Sequence, residues 1–477
     1  MLFNSFDFGL FLVVVYSLYW LIGTKKRNVQ NILILVSSYF FYGQWDWRFL
    51  FLLLASSLID FYGALAIHQS SSKKWRKFYL WHNVFWNIGV LILFKYYDFF
   101  LRSFYQMLGQ EFEPGTFSLM NVLIPVGLSF YTFQTLSYTI DVYRGRIEPS
   151  KKLLDFMCFA SFFPQLVAGP IERSNKLLPQ FSNHRSFDKE GQKDGLRRIL
   201  WGLFKKIVIA DNAGIGANIV FDGYQDFNSP MLFYGIFLFT VQIYCDFTGY
   251  TDIALGTARL FGFRLSENFR LPYLAKSMSE FWQRWHITLT RWFTDYLYFP
   301  LIKTKLLPIG VLRPLAIIIT MLLVGLWHGP NWTFIVLGLF DGIMILLERM
   351  RLPFGKRSLL QFLNRVTRAV SLGYFIVIVA IHNLLFRAES LEQAWKMIIG
   401  ISSLSFGGTY TLLVSFWTLL FVVLMVVLEL WARRRVHPLQ RLEEVLRTPV
   451  RWAIYYVMIF CILWLSSSKD PFIYFQF

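Results

Sequence analysis

The stretch Gly325–Trp332 reads Gly-Leu-Trp-His-Gly-Pro-Asn-Trp and directly follows the uncharged apolar run Leu315–Val324. Hydrocarbon offers the imidazole of His328 no hydrogen-bonding partner, so a lipid-facing position is unfavourable for it. The Gly329–Pro330 step cannot continue a regular helix, which predicts a break in the backbone beside the imidazole. Non-helical backbone at membrane depth is tolerated only against protein or a water-filled cavity. We therefore expect His328 to line a buried cavity; a purely structural, hydrogen-bonded histidine is the alternative.

A second stretch, Glu280–Pro300, is too polar to face lipid and too aromatic to form a solvated loop. Arg291 and Asp295 are spaced i,i+4 and can pair on one helix face. The pattern predicts an amphipathic or re-entrant helix at the membrane interface, or the wall of a polar cavity. Its polar and aromatic candidates are Trp282, Arg284, Trp285, His286, Arg291, Trp292 and Asp295.

The composition indicates an integral membrane protein. Of the 477 residues 56% are hydrophobic and 16% charged, with a mean hydropathy of +0.46, whereas soluble domains average about 25% charged residues. The first apolar segment has no small-residue cleavage site, so we expect a retained span rather than a signal peptide. The three scattered cysteines suggest neither a disulfide framework nor a zinc site, and His286 and His328 lack metal-ligand spacing.

Basic residues outnumber acidic ones by 47 to 29. Nucleic-acid binding is one interpretation, but basic loops between spans, held by anionic lipids on the cytoplasmic side, explain the excess better. With the N-terminus outside, helix alternation places the basic loops in the cytoplasm and the C-terminus outside. These loops are Lys25–Arg27, Lys73–Lys77, Arg144–Lys152, Arg351–Arg368 and Arg433–Arg447.

Apolar windows of about 20 residues predict one membrane domain over residues 1–477, ending in a short aromatic tail at residues 468–477. The windows support about eleven true spans plus two or more re-entrant or interfacial helices. The segments are Phe6–Ile22, Asn31–Tyr42, Trp47–Ile67, Tyr79–Phe100, Leu119–Val142, Leu153–Ala168, Leu196–Ile215, Met231–Phe261, Leu315–Trp327, Thr333–Leu347, Ala369–Phe386, Leu412–Ala432 and Val450–Leu465.

Several predicted helices carry polar groups at membrane depth. Gln242–Asp252 places Asp246 and Asp252 in one span, where a functional site and a structural pairing with arginine are equally supported. Phe130–Asp141 is rich in hydroxyl and amide groups and favours interhelical hydrogen bonds over a cavity lining. Pro164–Glu172 resembles a broken re-entrant turn. The pair His382–Asn383 in a late helix has no physical account at this level.

Together these motifs resemble the membrane-bound O-acyltransferase (MBOAT) family, and within it the alginate O-acetyltransferase branch. The resemblance follows the family's order along essentially the whole chain. Its motifs are Phe162–Ile171, Asp246–Asp252, Phe281–Leu289, Asp295–Tyr298, Gly325–Gly329 and Phe472–Phe477.

The resemblance implies an all-α polytopic fold around a central funnel, in a bacterial cytoplasmic membrane. A thioester donor, acetyl-CoA in the acetylating branch, enters from the cytoplasm, and no permanently bound cofactor is implied. The acyl group passes to an extracytoplasmic partner of the SGNH-hydrolase type, which esterifies alginate, a cellulose-like exopolysaccharide or peptidoglycan. Membrane lipids are the other partner, and no nucleic acid is implied. D-alanyl transfer to teichoic acid is a variant; a transporter or channel is the competing class, although no inverted repeat is visible.

The resemblance also implies roles for single residues. His328 corresponds to the family's membrane-embedded histidine and acts as general base. Tyr474 either carries the acyl group or anchors the tail at the interface. His286 either polarises the thioester carbonyl or only orients its neighbours. The remaining candidates, expected to bind substrate, are Gln165, Asp246, Asp252, Arg284, Trp285, Asp295 and Trp327.

Overall fold

The computed structural model contains helices and no β-strand in the residues it describes, which are 1–110, 125–167, 169–304, 306–349, 360–407 (backbone only for 360–372), 410–466 and 472–473. The α-helices in these ranges are α1 Phe6–Leu21, α2 Arg27–Gly43, α3 Phe49–Gln69, α4 Lys73–Leu91, α5 Tyr97–Met107, α6 Leu128–Tyr143, α7 Leu153–Ser161, α8 Phe163–Leu166, α9 Ser174–Ser182, α10 Lys189–Leu203, α11 Asp211–Asp222, α12 Ser229–Leu260, α13 Met278–Arg284, α14 Ile287–Phe293, α15 Phe299–Ile302, α16 Ile309–His328, α17 Trp332–Arg349, α18 Leu360–Arg387, α19 Leu391–Ser402, α20 Phe416–Trp431, α21 Pro438–Val445 and α22 Thr448–Trp464. Short π-helical segments occupy Ile92–Tyr96, Phe204–Ala210 and Thr294–Tyr298, and 3₁₀ turns occupy Tyr224–Asp226 and Pro272–Leu274.

Several of these helices have the length and apolar character needed to cross a bilayer, as expected of a multi-pass membrane protein. Four long ones are Phe49–Gln69, Lys73–Met107, Ser229–Leu260 and Ile309–His328. Shorter apolar helices are Phe6–Leu21, Gly373–Arg387, Phe416–Trp431 and Thr448–Trp464. The polytopic, all-α prediction is confirmed, whereas the number of about eleven spans stays a prediction.

Prolines lie near two of the predicted helix boundaries, and the structure agrees with the prediction at one of them only. The segment Leu153–Ala168 is broken at Phe162 into α7 and the four-residue α8, as its polarity and prolines indicated. In contrast, α16 begins at Ile309, before the predicted start at Leu315, and carries Pro314 inside the helix. An interior proline removes one hydrogen bond of the helical ladder and crowds the carbonyl one turn earlier, yet the helix continues through Pro314 to His328.

The Cα positions group into two compact units. The first comprises residues 1–202 and 250–266, and the second comprises 203–249 and 267–477, so the long helix α12 contributes to both. The prediction of a single domain stays a prediction. The start of the predicted span Leu119–Val142 lies outside the described residues, as does much of the loop Arg351–Arg368.

Buried polar side chains join helices of the first unit, as the hydroxyl- and amide-rich pattern of α6 predicted. Gln134 of α6 donates to the carbonyl oxygen of Phe159 in α7 at 2.6 Å. Thr139 of α6 and Asn87 of α4 both donate to Asp60 of α3, at 3.3 and 2.9 Å. Each buried donor therefore satisfies a buried acceptor on a neighbouring helix.

In the second unit α16 and α17 form a hairpin whose backbones touch. A Cβ atom on Gly325 would lie 2.1 Å from the carbonyl oxygen of Phe334, and one on Gly338 would lie 2.2 Å from that of Met321. Small residues allow this approach, and van der Waals packing between the helices then replaces the hydrophobic effect, which is weak between helices in lipid. The approach fixes His328, at the end of α16, against the first turn of α17.

We predict that Gly325→Ala destabilises the protein by about 1–3 kcal/mol, because the added methyl group overlaps backbone that cannot rotate away. Thermal unfolding in detergent measures the change. Gly310→Ala is the matched control, since Gly310 lies in the same helix with nothing within 4 Å of an added Cβ. Equal unfolding temperatures for the two variants would contradict the packing argument.

Candidate active site

His328 is the last residue of α16, and the backbone breaks directly after it. Gly329 is extended, with φ −174° and ψ 162°, and the side chain of Asn331 accepts from the amide of Thr333 at 3.1 Å at the start of α17. His328 is only 3% exposed. The break that the Gly-Pro step predicted is therefore confirmed, and the imidazole is buried in protein.

His286 lies between α13 and α14 in the left-handed region, with φ 42° and ψ 52°. A bulky residue rarely adopts this conformation, and such strain concentrates at functional sites. The turn is held by Asn268, whose carbonyl oxygen accepts from the amide of Ile287 at 2.9 Å and whose side chain accepts from the amide and hydroxyl of Thr288. The stretch Glu280–Pro300 is thus broken rather than one continuous helix.

The two histidines come together through Trp327. Its ring centroid lies 5.3 Å from that of His286 and 5.0 Å from that of His328. On their other sides His286 meets Phe247 at 4.8 Å, and His328 meets Phe386 at 4.9 Å. His286 is fully buried, and burial lowers its pKa to about 3 because the charged imidazolium would lose its hydration. His286 is therefore a neutral imidazole near pH 7.

A cavity of about 560 Å³ opens beside these rings, between α13, α14, α16 and α17. Trp282 belongs to its wall and also packs against His328, with 6.5 Å between the ring centroids. The stretch Glu280–Pro300 therefore contributes side chains to a cavity wall, which is one of the two alternatives that the sequence predicted. Its other lining side chains are Ser279, Gln283, Ile287, Thr290, Arg291, Thr294, Asp295, Tyr298, Phe299, Ile317, Thr320, Met321, Ile345 and Arg349.

Two candidates from the same stretch have other surroundings. Arg284 pairs with Glu280 at 2.7 Å one turn earlier. Trp285 is buried among aromatic rings, stacked on Phe281 with a centroid distance of 5.6 Å. Neither side chain is among the described residues that line the 560 Å³ cavity, so their geometry supports the shape of the site rather than direct contact with a ligand there.

Asp246 belongs to a buried charge cluster in the second unit. The ammonium group of Lys206 lies 2.9 Å from Asp246 and 2.8 Å from Asp211, and all three side chains are at most 3% exposed. Asp246 also accepts the backbone N–H of Ile473 at 2.7 Å. Among the described residues the carboxylate thus pairs with a lysine, and it holds the backbone at Ile473.

Two further candidates, Asp252 and Gln165, lie in the first unit. In the first unit Asp252 pairs with Arg198 at 2.8 Å, which is the arginine pairing considered from the sequence. In the same unit Gln165 donates to Gln134 at 2.8 Å. Tyr474 and most of the tail 468–477 lie outside the described residues.

The structure accounts for the pair His382–Asn383, which the sequence left unexplained. The Nδ1 atom of His382 lies 3.1 Å from each carboxylate oxygen of Asp341. Asn383 donates to the hydroxyl of Thr240 at 2.8 Å. Asp341 was missed although a carboxylate in an apolar span is itself a signal of a partnered or functional group; only its partner, 41 positions away, leaves no local pattern.

Comparison with known proteins agrees with this geometry. A sequence model of the membrane-bound O-acyltransferase family matches residues 146–388. The probable alginate O-acetylase AlgI of Azotobacter vinelandii is 36% identical over 415 residues, covering 86% of this chain and 78% of that protein. This chain belongs to the membrane-bound O-acyltransferase family. It is therefore a membrane-bound O-acyltransferase.

Other known proteins are similar to half or more of this chain. The probable alginate O-acetylase AlgI of Pseudomonas aeruginosa is 37% identical and covers 83% of this chain and 73% of its own. The peptidoglycan O-acetyltransferase of Helicobacter pylori is 32% identical, with coverages of 85% and 80%. The teichoic acid D-alanyltransferase of Streptococcus thermophilus is 30% identical over only 52% of this chain and 63% of its own.

We predict that Asp246→Ala lowers the free energy of unfolding by about 1–3 kcal/mol, because it removes one of the two carboxylates that pair with the buried Lys206, which keeps Asp211. The amide of Ile473 also loses its acceptor, so carboxypeptidase should shorten the C-terminus faster than in the wild type. Thr248→Ala is the control, since the one hydrogen bond that the Thr248 hydroxyl makes among the described residues stays in its own helix, to the carbonyl of Tyr244. Unchanged stability and tail cleavage would refute the anchoring role.

Proposed function

We propose that this acyltransferase takes an acetyl group from cytoplasmic acetyl-CoA and delivers it across the bacterial cytoplasmic membrane for O-acetylation of a cell-surface polysaccharide. The observation that carries the proposal is the buried His328, whose ring lies 6.5 Å from that of Trp282 in the wall of a 560 Å³ cavity. The relatives that share most of the chain are named as alginate or peptidoglycan O-acetylating proteins. Alginate, another exopolysaccharide and peptidoglycan are therefore the acceptor classes.

The cavity suits a thioester donor. Its volume falls in the range of about 300–1,000 Å³ that small-molecule sites occupy. Arg291 and Arg349 supply positive charge for the donor's phosphate groups. Apolar side chains such as Ile317 and Met321 line the same cavity and suit the uncharged arm of the donor. We assign the donor to this cavity with its acyl end toward Trp282.

His328 acts as general base in the proposed reaction. Its imidazole takes the proton of an acceptor hydroxyl as that oxygen attacks the thioester carbonyl carbon. The C–S bond breaks, and the departing sulfur takes the proton from the imidazolium. The ester and the free thiol are the products, and the histidine returns to its neutral form.

We propose that His286 assists the reaction by stabilising charge on the thioester carbonyl oxygen. A neutral imidazole can donate one hydrogen bond toward developing negative charge on the carbonyl oxygen, and its contact with Trp327 links it to His328. Fixing the orientation of that tryptophan is the simpler alternative. Asp295, on the cavity wall, and Arg284, paired with Glu280, shape the surroundings.

Tyr474 is proposed to carry the acyl group on its way out of the site. Support comes from the residues before it: Phe472 and Ile473 are buried, and the ring of Phe472 lies 5.4 Å from Phe247. Phe247 in turn contacts His286 at 4.8 Å. A phenol has a pKa of about 10 and needs a base to become a nucleophile, which His328 supplies. The alternative is an aromatic anchor at the membrane interface.

An extracytoplasmic partner of the SGNH-hydrolase type would then move the acetyl group to the polysaccharide. This step requires the C-terminal tail on the outer side, as the alternation of basic loops predicts together with an outer N-terminus. D-alanyl transfer has weaker support, since the D-alanyltransferase relative shares about half of the chain. Membership of an acyltransferase family also argues against a transporter or channel.

We predict that His328→Gln lowers the rate of thiol release from acetyl-CoA by about 10²–10⁴-fold, the usual contribution of a general base. The purified protein is assayed in detergent, with its extracytoplasmic partner where one is known. His68→Gln is the control, because His68 is exposed at the end of α3. A His328→Gln variant that folds and keeps its wild-type rate would rule out the proposed base.

We predict that radiolabelled acetyl-CoA leaves acetyl label on the wild type and none on Tyr474→Phe, because the phenol oxygen is the atom acylated. Tyr62→Phe, which alters an exposed tyrosine, should label like the wild type. Label on Tyr474→Phe would identify the tail as an anchor only. A wild type that takes no label and releases no thiol, with or without the partner, would argue against acetyl-CoA as donor.

A further inference from the structure

A buried histidine–aspartate pair lies next to the proposed site. His382 of α18 and Asp341 of α17 are 3% and 1% exposed, and the Nδ1 atom of His382 is 3.1 Å from both carboxylate oxygens. A carboxylate bound to one ring nitrogen fixes the orientation and tautomer of an imidazole. His382 is therefore held in one orientation by a neighbouring helix.

The imidazole of His382 lies next to two aromatic rings that pack against His328. Its centroid lies 6.1 Å from Trp282 and 6.5 Å from Phe386. Those two rings contact His328 at 6.5 and 4.9 Å. His328 and His382 thus share the same two aromatic neighbours.

Trp282 also belongs to the cavity wall, and its helix is short. Helix α13 has seven residues, so its position depends on contacts with neighbouring helices. Glu348 of α17 accepts the amides of Met278 and Ser279 at its first turn, at 2.5 and 3.1 Å. His382 packs against Phe281, 5.6 Å away, and Trp282 further along the same helix.

We infer that His382, oriented by Asp341, is a positioning residue for acyl transfer that holds Trp282 and Phe386 in place around His328. The inference rests on the proposed role of His328. A purely structural tie between α17 and α18 is the competing explanation. The two explanations differ in what they require. Well-packed apolar side chains can replace a purely structural tie, because replacing both members of a buried polar pair is often nearly neutral in stability. Positioning requires the oriented imidazole–carboxylate pair.

The test compares variants of the full-length protein for thermal stability and for kcat and KM of thiol release from acetyl-CoA. The single variants His382→Asp and Asp341→His each break the pair. The double variant His382→Asp with Asp341→His restores the histidine–aspartate pair with the two positions exchanged. The double variant His382→Phe with Asp341→Leu replaces the pair by apolar side chains. Asn383→Ala is the matched control, because it removes a buried interhelical hydrogen bond from the next residue of the same helix.

We expect the apolar double variant to unfold near the wild-type temperature while its kcat falls by about 10–100-fold, since small misplacements of a site cost up to about 10²-fold. The reversed pair should recover kcat to within about fivefold of the wild type. Asn383→Ala should lose stability but keep kcat within about threefold. The two double variants decide the question even if both single variants fail to fold.

An apolar double variant that is as active as the wild type would overturn the inference and leave the proposed function intact. The inference would also be overturned if the reversed pair folds but is as inactive as the apolar variant. Restoring the imidazole–carboxylate pair would then not restore kcat. A wild type that releases no thiol overturns the proposed function and, with it, the inference.

Discussion

The backbone contact between α16 and α17 is the constraint on which the rest of the site depends. Gly325 and Gly338 let each helix approach the carbonyl oxygens of the other, so His328 ends α16 against protein rather than lipid. Trp327 packs between this imidazole and that of His286. Trp282 packs against the same imidazole and belongs to the cavity wall. Loosening the hairpin would move all of these groups together.

A second constraint is the cost of burying charge in a membrane protein. An isolated ion in a medium of low dielectric constant is strongly disfavoured, so it must be paired. Lys206 lies between the carboxylates of Asp211 and Asp246, and the buried carboxylate of Asp341 is bound by the ring of His382. The Lys206–Asp246 and His382–Asp341 contacts join segments distant in sequence, and Asp246 also uses its second oxygen to hold the backbone at Ile473. Charge pairing therefore also positions the elements around the site.

These two constraints produce a site of mixed character. Aromatic rings surround His286 and His328 and exclude water, which strengthens every polar interaction there. The adjacent cavity, by contrast, carries Arg291, Asp295 and Arg349. A donor with a charged end and an uncharged acyl end matches this gradient from polar to apolar. The left-handed backbone at His286 is a conformation that few non-glycine residues adopt.

The sequence by itself determined the polytopic all-α class, the family and the break after His328, because long apolar runs and a Gly-Pro step have local physical consequences. It also singled out Asp246 and Asp252 as buried carboxylates, since an acidic residue in an apolar segment must find a partner. Only the tertiary structure decided which partners they have, Lys206 and Arg198. It alone brought Asp341 to His382 and Trp282 to the cavity wall, because contacts between distant helices depend on their packing and leave no local pattern in the chain.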